Sequence, residues 1–437
     1  MLIDKTTLYD ISVFHQDEEQ SVFHYLNFTK TNGGREYLRF LLRHPLDSIH
    51  AINDVQNTIK QLETIKHVWP ITITNGTIMV IEKFYDTPLD SFPLSNSILE
   101  SWYFKLLNNS DYSLTKYSLE HFISFFKGLK EITQLIAKPK SILLQTFVSR
   151  IEMILNNGYI DEMLNWHKEK KLSPSNVVLF GKYIRHKFDQ KALELVEIYN
   201  KLDAYVSCAI ASKKFEFTFP EFQETNAPFI YADDLFHLQL QQPVAYSIHL
   251  NKEKNFLFLT GANMGGKSTF IKALGLSVYL AHLGMAVPAK KMQLCLFDGI
   301  LSNIQVVDNI TKGESFFFNE VQRIKNTVEK IGDGKKWLIL IDELFKGTNQ
   351  QDAIKCSIAV IEGLRKMNNG IFILSTHLYE IGDALKKYEN ILFRYFETNI
   401  KDDQLQFSYL LKEGISQDRL GYLILKREGV VDMLQKL

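Results

Sequence analysis

The feature that most constrains this chain is Gly261-Ala262-Asn263-Met264-Gly265-Gly266-Lys267-Ser268-Thr269. It fits the pattern G-x-x-x-x-G-K-[ST] without a gap. The apolar run Phe256-Leu257-Phe258-Leu259 before it predicts a buried strand, and Phe270-Ile271-Lys272-Ala273-Leu274 after it predicts a helix start. Strand, glycine loop and helix together form a cradle for phosphate. Glycines let backbone N–H groups turn inward, and the helix N-terminus adds a positive dipole end. Lys267 is expected to reach the β- and γ-phosphates of ATP, and the Ser268 hydroxyl to hold Mg²⁺. The competing reading, a glycine-rich turn that binds nothing, explains neither flank.

A second run, Trp337-Leu338-Ile339-Leu340-Ile341, ends in Asp342-Glu343. This predicts a buried strand delivering two carboxylates to the loop. Asp342 is expected to hold Mg²⁺ through water, and Glu343 to orient or deprotonate the attacking water. A third run, Ile371-Phe372-Ile373-Leu374, ends in Ser375-Thr376-His377. A histidine after a core strand is often only a satisfied polar residue. Beside two nucleotide motifs it is expected to sense the γ-phosphate.

The chain has 437 residues, enough for two or three domains. Its 46% apolar content supports packed cores, and its 23% charged content argues against disorder. Net charge is zero and the pI is about 7.2, so no global basic field draws nucleic acid in. Cys208, Cys295 and Cys356 show no disulfide or metal-ligand spacing, which suits a reducing compartment. The N-terminus lacks a signal-peptide pattern, and no apolar run approaches the roughly 20 residues that span a bilayer. A soluble, cytoplasmic protein without membrane contact is expected.

Residues 1–215 read as helix after helix. Leu119, Phe122, Ile123 and Phe126 share one helical face, and 192–202 carries a similar stripe. From Phe215 the texture changes: Phe215-Glu216-Phe217-Thr218-Phe219 alternates as a strand does, and short apolar runs then alternate with helical stretches. The predicted fold class is α + α/β: an all-helical domain over 1–215, then an α/β ATPase domain over 216–437.

The loop filling Asn263-Met264-Gly265-Gly266-Lys267-Ser268-Thr269 resembles the MutS family of DNA mismatch-repair ATPases. Further stretches agree in order and spacing. Gly313-Glu314-Ser315-Phe316-Phe317-Phe318-Asn319-Glu320 resembles the family's signature segment, and Asp342-Glu343-Leu344-Phe345-Lys346-Gly347-Thr348-Asn349 with Asp352 its acidic run. Ser375-Thr376-His377 resembles its Thr-His switch, and Gly33-Gly34-Arg35 through Pro45-Leu46 the start of its helical core domain. The resemblance implies an ABC-type P-loop engine with a helical core and lever. It also implies a dimer through the ATPase domains, in which Ser315 of one subunit completes the loop of the other. Tyr409 matches a frequent family tyrosine; either Tyr409 or Tyr246 could stack on the adenine, or each could be an ordinary core tyrosine.

Departures from the pattern shape the functional expectation. No mismatch-reading wedge precedes Gly33, so a short form without the mismatch-reading and connector domains is expected. Ala262 replaces a common proline, Asn303 and Lys346 stand where the family usually has arginine, and Asn349 stands where it has serine. Sequence-specific DNA reading needs base contacts or a wedge. Two functions remain open: an ATPase that contacts DNA without reading its sequence, in repair or recombination, and an ATP-gated protein scaffold with no DNA contact. The partner is a second copy or a longer MutS-family or repair protein.

Overall fold

The computed structural model describes residues 1–89, 92–166, 172–304, 316–401, 404–416 and 430–434. The chain forms two compact units, one of residues 1–25, 44–53 and 214–437 and the other of 26–43 and 54–213.

The first unit is built on sheets. Its strands are β1 (Leu2–Ile3), β2 (Glu221–Gln223), β3 (Ile230–Leu235), β4 (Tyr246–Leu250), β5 (Phe256–Thr260), β6 (Lys291–Cys295), β7 (Gly299–Asn303), β8 (Trp337–Asp342), β9 (Gly370–Ser375), β10 (Ile391–Lys401) and β11 (Gln404–Glu413). The main sheet runs β1-β7-β8-β9-β5-β10-β11, parallel except for the antiparallel β10–β11 pair. A smaller sheet runs β2-β6-β3-β4. Every residue of β5, β8 and β9 is buried, as expected for parallel strands covered on both faces. Burying each large apolar side chain contributes about 1.5–3 kcal/mol. These three strands are neighbours, and Ser375 of β9 aligns with Asp342 of β8 and Leu259 of β5. Their carboxyl ends therefore lie level, where ligands bind in open α/β sheets.

Two expectations are corrected here. The N-terminal residues do not belong to an all-helical domain ending at 215. Leu2 and Ile3 pair with Gly299 and Ile300, and the short helix Lys5–Asp10 ties itself to the end of β7. Thr7 Oγ1 accepts the Ser302 N–H at 3.0 Å, and Asp10 accepts the Ile304 N–H at 3.1 Å. Strand pairing at long sequence separation cannot be seen in a two-residue apolar segment. Nor do residues 215–219 form a strand. The helix Asp189–Lys214 runs up to them, Glu216 takes a left-handed φ of 55°, and only Thr218 makes a bridge, to Val287. The alternating aromatics instead pack on one another, with Phe215 and Phe217 stacked at 5.6 Å.

The second unit is helical. The helix Asn109–Leu135 presents Leu119, Phe122, Ile123 and Phe126 inward, all buried, matching the predicted stripe. Phe122 meets Phe84 edge-on at 5.7 Å, and Phe126 meets Phe188 at 5.5 Å. Gly33 and Gly34 begin the helix Asn32–Leu41 and press against Asp189–Lys214. A Cβ on Gly33 would stand 2.1 Å from the Asn200 side chain, and one on Gly34 2.2 Å from Asp203. The buried Asp203 carboxylate accepts the Lys30 and Thr31 N–H groups at 2.9 and 2.8 Å, and the Thr31 hydroxyl at 2.8 Å.

Among the described residues no helix is long and apolar enough to cross a membrane. The three cysteines are free, and burial pushes the Cys208 and Cys295 thiols up to about 12 and about 11, which keeps them unreactive.

Candidate active site

The loop between β5 and the helix Lys267–His282 turns as its glycines predict. Gly261 and Gly266 take φ of 139° and 107°, a region open to glycine at no steric cost. Met264 shares the left-handed region at 67°, and the Gly265 N–H closes a turn on the Ala262 carbonyl at 3.1 Å. Lys267 is buried. Its ammonium donates to the Gly261 carbonyl at 2.7 Å and the Ala262 carbonyl at 3.0 Å, inside the curve of its own loop. Burial lowers its pKa, against the raising effect of the Glu343 and Asp342 carboxylates. Thr269 follows in the first helical turn and lines the adjoining cleft.

Asp342, at the end of β8, joins two elements. One carboxylate oxygen accepts the Ser268 hydroxyl at 2.5 Å, and the other accepts the Ser375 hydroxyl from β9. Residues 74 positions apart thus meet at one point. Both donors to a prospective cation, the hydroxyl and the carboxylate, are hard oxygens, the class that Mg²⁺ prefers. Among the described residues no group of three or more His, Cys, Asp and Glu gathers into an all-protein metal cage.

Glu343 takes a left-handed φ of 62°, which turns its side chain out of the strand direction. Its N–H still donates to the Ser375 carbonyl at 2.9 Å. His377 Nδ1 stands 3.7 Å from one carboxylate oxygen, and Lys346 Nζ 3.0 Å from the other. His377 and then Lys346 hold the Glu343 carboxyl down to about 2, although burial works in the opposite direction.

Two clefts flank the loop. One, of about 580 Å³, is lined by Asn263, Met264, Gly266, Lys267, Tyr246 and Tyr409 among others. The other, of about 770 Å³, includes Asn263, Glu343, Lys346 and His377. Glu343 borders both. The two tyrosines differ in setting. Tyr246 is buried, edge-on to Phe270 and Phe396 at 5.5 Å each, whereas Tyr409 on β11 is 40% exposed with φ of 54°. Gly313, Glu314 and Ser315 lie outside the described residues.

Sequence reasoning assigned no role to Glu320. It sits on the helix Phe316–Ile331, 2% exposed, and accepts the Lys346 and Gly347 N–H groups at 3.1 and 3.2 Å. It fixes the turn that carries Glu343 and Lys346. A glutamate on an amphipathic helix usually faces water, so nothing local marks this one as an anchor. Asn349 is explained by the helix it begins: its side chain accepts the Asp352 N–H at 3.0 Å, a cap that serine also makes well. Asn303 ends β7 with its buried Oδ1 unpartnered among the described residues.

With this geometry in place, similarity to known proteins becomes informative. Residues 257–433 match the family model described as MutS domain V. The chain is 30% identical over 236 residues to the DNA mismatch repair protein MutS of Geobacillus sp. (strain WCH70), a match covering 52% of this chain and 27% of that protein. It is 27% identical over 298 residues to the DNA mismatch repair protein MutS of Thermosipho melanesiensis, covering 65% of this chain and 36% of that protein. Residues 257–433 belong to the MutS domain V family. The stretches matched are well under two thirds of the length of these MutS relatives. At the family level MutS domain V is an ATPase domain, and it coincides with the strands and loop that bring Lys267, Asp342, Glu343 and His377 together.

Proposed function

We propose that this chain binds and hydrolyses ATP with an ABC-type P-loop engine, in a dimer whose two ATPase domains complete each other's sites. The observation that carries this reading is the junction of Ser268, Asp342 and Ser375, where three separate segments meet beside a buried lysine. In this reading the N–H groups of 261–266 and the Lys267 ammonium hold the β- and γ-phosphates. Ser268 and Asp342 hold Mg²⁺, which neutralises phosphate charge when bound. The Ser268 hydroxyl would hold the ion directly and Asp342 through water, hard oxygen donors of the kind Mg²⁺ takes while it keeps waters and phosphate oxygens as other ligands.

Glu343 orients the attacking water. A carboxylate held near pKa 2 is fully ionised but weakly basic, so in the resting geometry it positions rather than deprotonates. Loosening of the Lys346 and His377 contacts as phosphate arrives would raise its basicity. His377 is then free to donate to a γ-phosphate oxygen. Tyr409 rather than Tyr246 offers an open ring face for adenine, because Tyr246 is enclosed by Phe270 and Phe396. Ser315, by resemblance, serves the partner's loop.

The reading is tested by turnover against Mg²⁺ concentration in the wild type and Asp342→Asn. The variant should bind ATP in EDTA as the wild type does and lose Mg²⁺-dependent turnover; equal turnover would remove the metal role from Asp342. Mixing Ser315→Arg with Lys267→Ala subunits tests the composite site. Partial recovery of activity supports it, and no recovery in heterodimers confirmed by mass refutes it.

A repair or recombination role in contact with DNA is the function we favour, since the named relatives are DNA mismatch repair proteins. The zero net charge favours the second reading, an ATP-gated scaffold. DNA binding that weakens steeply with salt would select the first, because phosphate contacts release counterions. A cytoplasmic setting accords with the free thiols.

A further inference from the structure

Three basic side chains act on Glu343: Lys267, Lys346 and His377. Lys346 lines the cleft of about 770 Å³ together with Gly261, Asn263 and His377. Glu343 is its one anionic partner among the described residues, with Nζ 3.0 Å from a carboxylate oxygen. The pair is open to water, since the Lys346 side chain is 41% exposed, and ion pairs in water are weak. Lys346 also stands close enough to repel Lys267. Burial first, and the Lys346 charge in addition, lower the Lys267 pKa, against Glu343 and Asp342, which raise it. Two ammonium groups that repel each other across one cleft make a place for an added anion. The backbone under Lys346 is fixed. The buried Glu320 accepts the Lys346 and Gly347 N–H groups, and the preceding Leu344 and Phe345 are each only 4% exposed. What remains free to move is the Lys346 side chain.

We propose that Lys346 distinguishes ATP from ADP: it exchanges the Glu343 carboxylate for the γ-phosphate when ATP binds and returns to Glu343 when that phosphate leaves. The inference rests on the ATP-site reading above and adds a specificity-determining residue to it. The Lys267 ammonium lies inside the curve of its own loop, on the Gly261 and Ala262 carbonyls, where it meets the phosphates of either nucleotide. Lys346 lies outside that curve, beside the carboxylate that orients the attacking water, and so at the γ-phosphate end. A terminal phosphate carries about −1.5 to −2 charges at neutral pH against one on a carboxylate, and is the stronger partner for an ammonium. The exchange relieves Glu343 of one cation only when there is a γ-phosphate to attack. ADP ends at the β-phosphate and leaves the ion pair intact.

The test is isothermal titration of the full chain with ADP and with the non-hydrolysable ATP analogue AMP-PNP, each with Mg²⁺. Lys346→Met keeps the length of the side chain and removes its charge. It should weaken AMP-PNP binding about tenfold and ADP binding less than about twofold. Lys346→Arg, which keeps the charge, should restore most of the AMP-PNP affinity. A lysine that only shapes the cleft would not separate the two nucleotides. Equal losses for both therefore overturn the proposal, as does no loss for either or a failure of arginine to rescue. Lys267→Ala separates this from the underlying reading. If it weakens both nucleotides while Lys346→Met weakens neither, the ATP site stands and Lys346 has no part in it. A wild type that binds neither nucleotide refutes the ATP-site reading and this inference with it.

Discussion

Both units bury a carboxylate beneath backbone N–H groups, and the two differ in what that does. In the helical unit, Asp203 takes the Lys30 and Thr31 N–H groups and fixes the start of the helix Asn32–Leu41. In the sheet unit, Glu320 takes the Lys346 and Gly347 N–H groups and fixes the turn beside Glu343. The first holds packing in place; the second holds a reactive group. The electrostatics of Asp203 and Glu343 separate further. Burial raises the Asp203 pKa, outweighing the Lys30 and Thr31 hydrogen bonds and the Lys30 charge, all of which act against it. Glu343 is also partly buried, yet His377 and Lys346 hold it near 2. Burial alone therefore does not set the charge of a carboxyl group; what matters is whether hydrogen bonds and nearby cations outweigh it, as His377 and Lys346 do at Glu343 and Lys30 and Thr31 do not at Asp203.

The largest expected effect tests whether Glu343 acts on the chemistry. Glu343→Gln should leave ATP affinity within about threefold and slow hydrolysis by roughly 10²–10⁴-fold, the usual range for a positioned acid–base group. Single-turnover kinetics at the wild-type rate would reduce Glu343 to a structural residue like Asp203. Next comes packing. Phe122→Ala should cost the helical unit about 3–5 kcal/mol by opening a cavity among Phe84, Tyr85 and Phe126. Urea denaturation followed by helical signal reads this. ATP affinity of the folded protein should not change; if it does, the division of labour between the units fails.

Lys267→Ala should weaken ATP binding by about a hundredfold, or ~3 kcal/mol, by removing a buried charge-assisted donor. Isothermal titration measures it. Glu320→Ala should destabilise the sheet unit by about 1–3 kcal/mol, leaving two N–H groups without an acceptor, and should slow turnover without changing ATP affinity. Glu320→Gln, which keeps an acceptor oxygen, should recover most of both. Recovery of stability without recovery of rate would show that the anchor needs its charge.

The smallest effects are in pH dependence, and they have opposite signs. The depressed Glu343 contributes stability that is present above pH 4.5 and is lost as pH falls through about 2. Asp203, raised from 3.8, contributes fully below that value and less as pH rises through its folded pKa. Glu343→Gln should therefore flatten the acid side of the stability profile, and Asp203→Asn the opposite side. Finding the same sign in both variants would undo the contrast.

Several elements are legible in the sequence because their causes are local. The run 256–259, the loop 261–269 and the run 337–343 each carry their signal within a few consecutive residues: apolar for burial, glycine for φ, acid for a strand end. The stripe on Asn109–Leu135 is legible for the same reason, since helical periodicity is a short-range pattern. The alternation at 215–219 misleads because aromatic stacking yields the same pattern as a pleated strand. What the tertiary structure decides is long range. It adds Leu2 and Ile3 to a sheet nearly 300 positions away, turns Glu320 inward, encloses Tyr246 and leaves Tyr409 open. The order β8-β9-β5, which brings Asp342, Ser375 and Ser268 to one point, has no signature in any of the three segments alone. Propensity and periodicity depend on neighbours in the chain, whereas pairing, burial and pKa depend on neighbours in space, which are set only when the chain has folded.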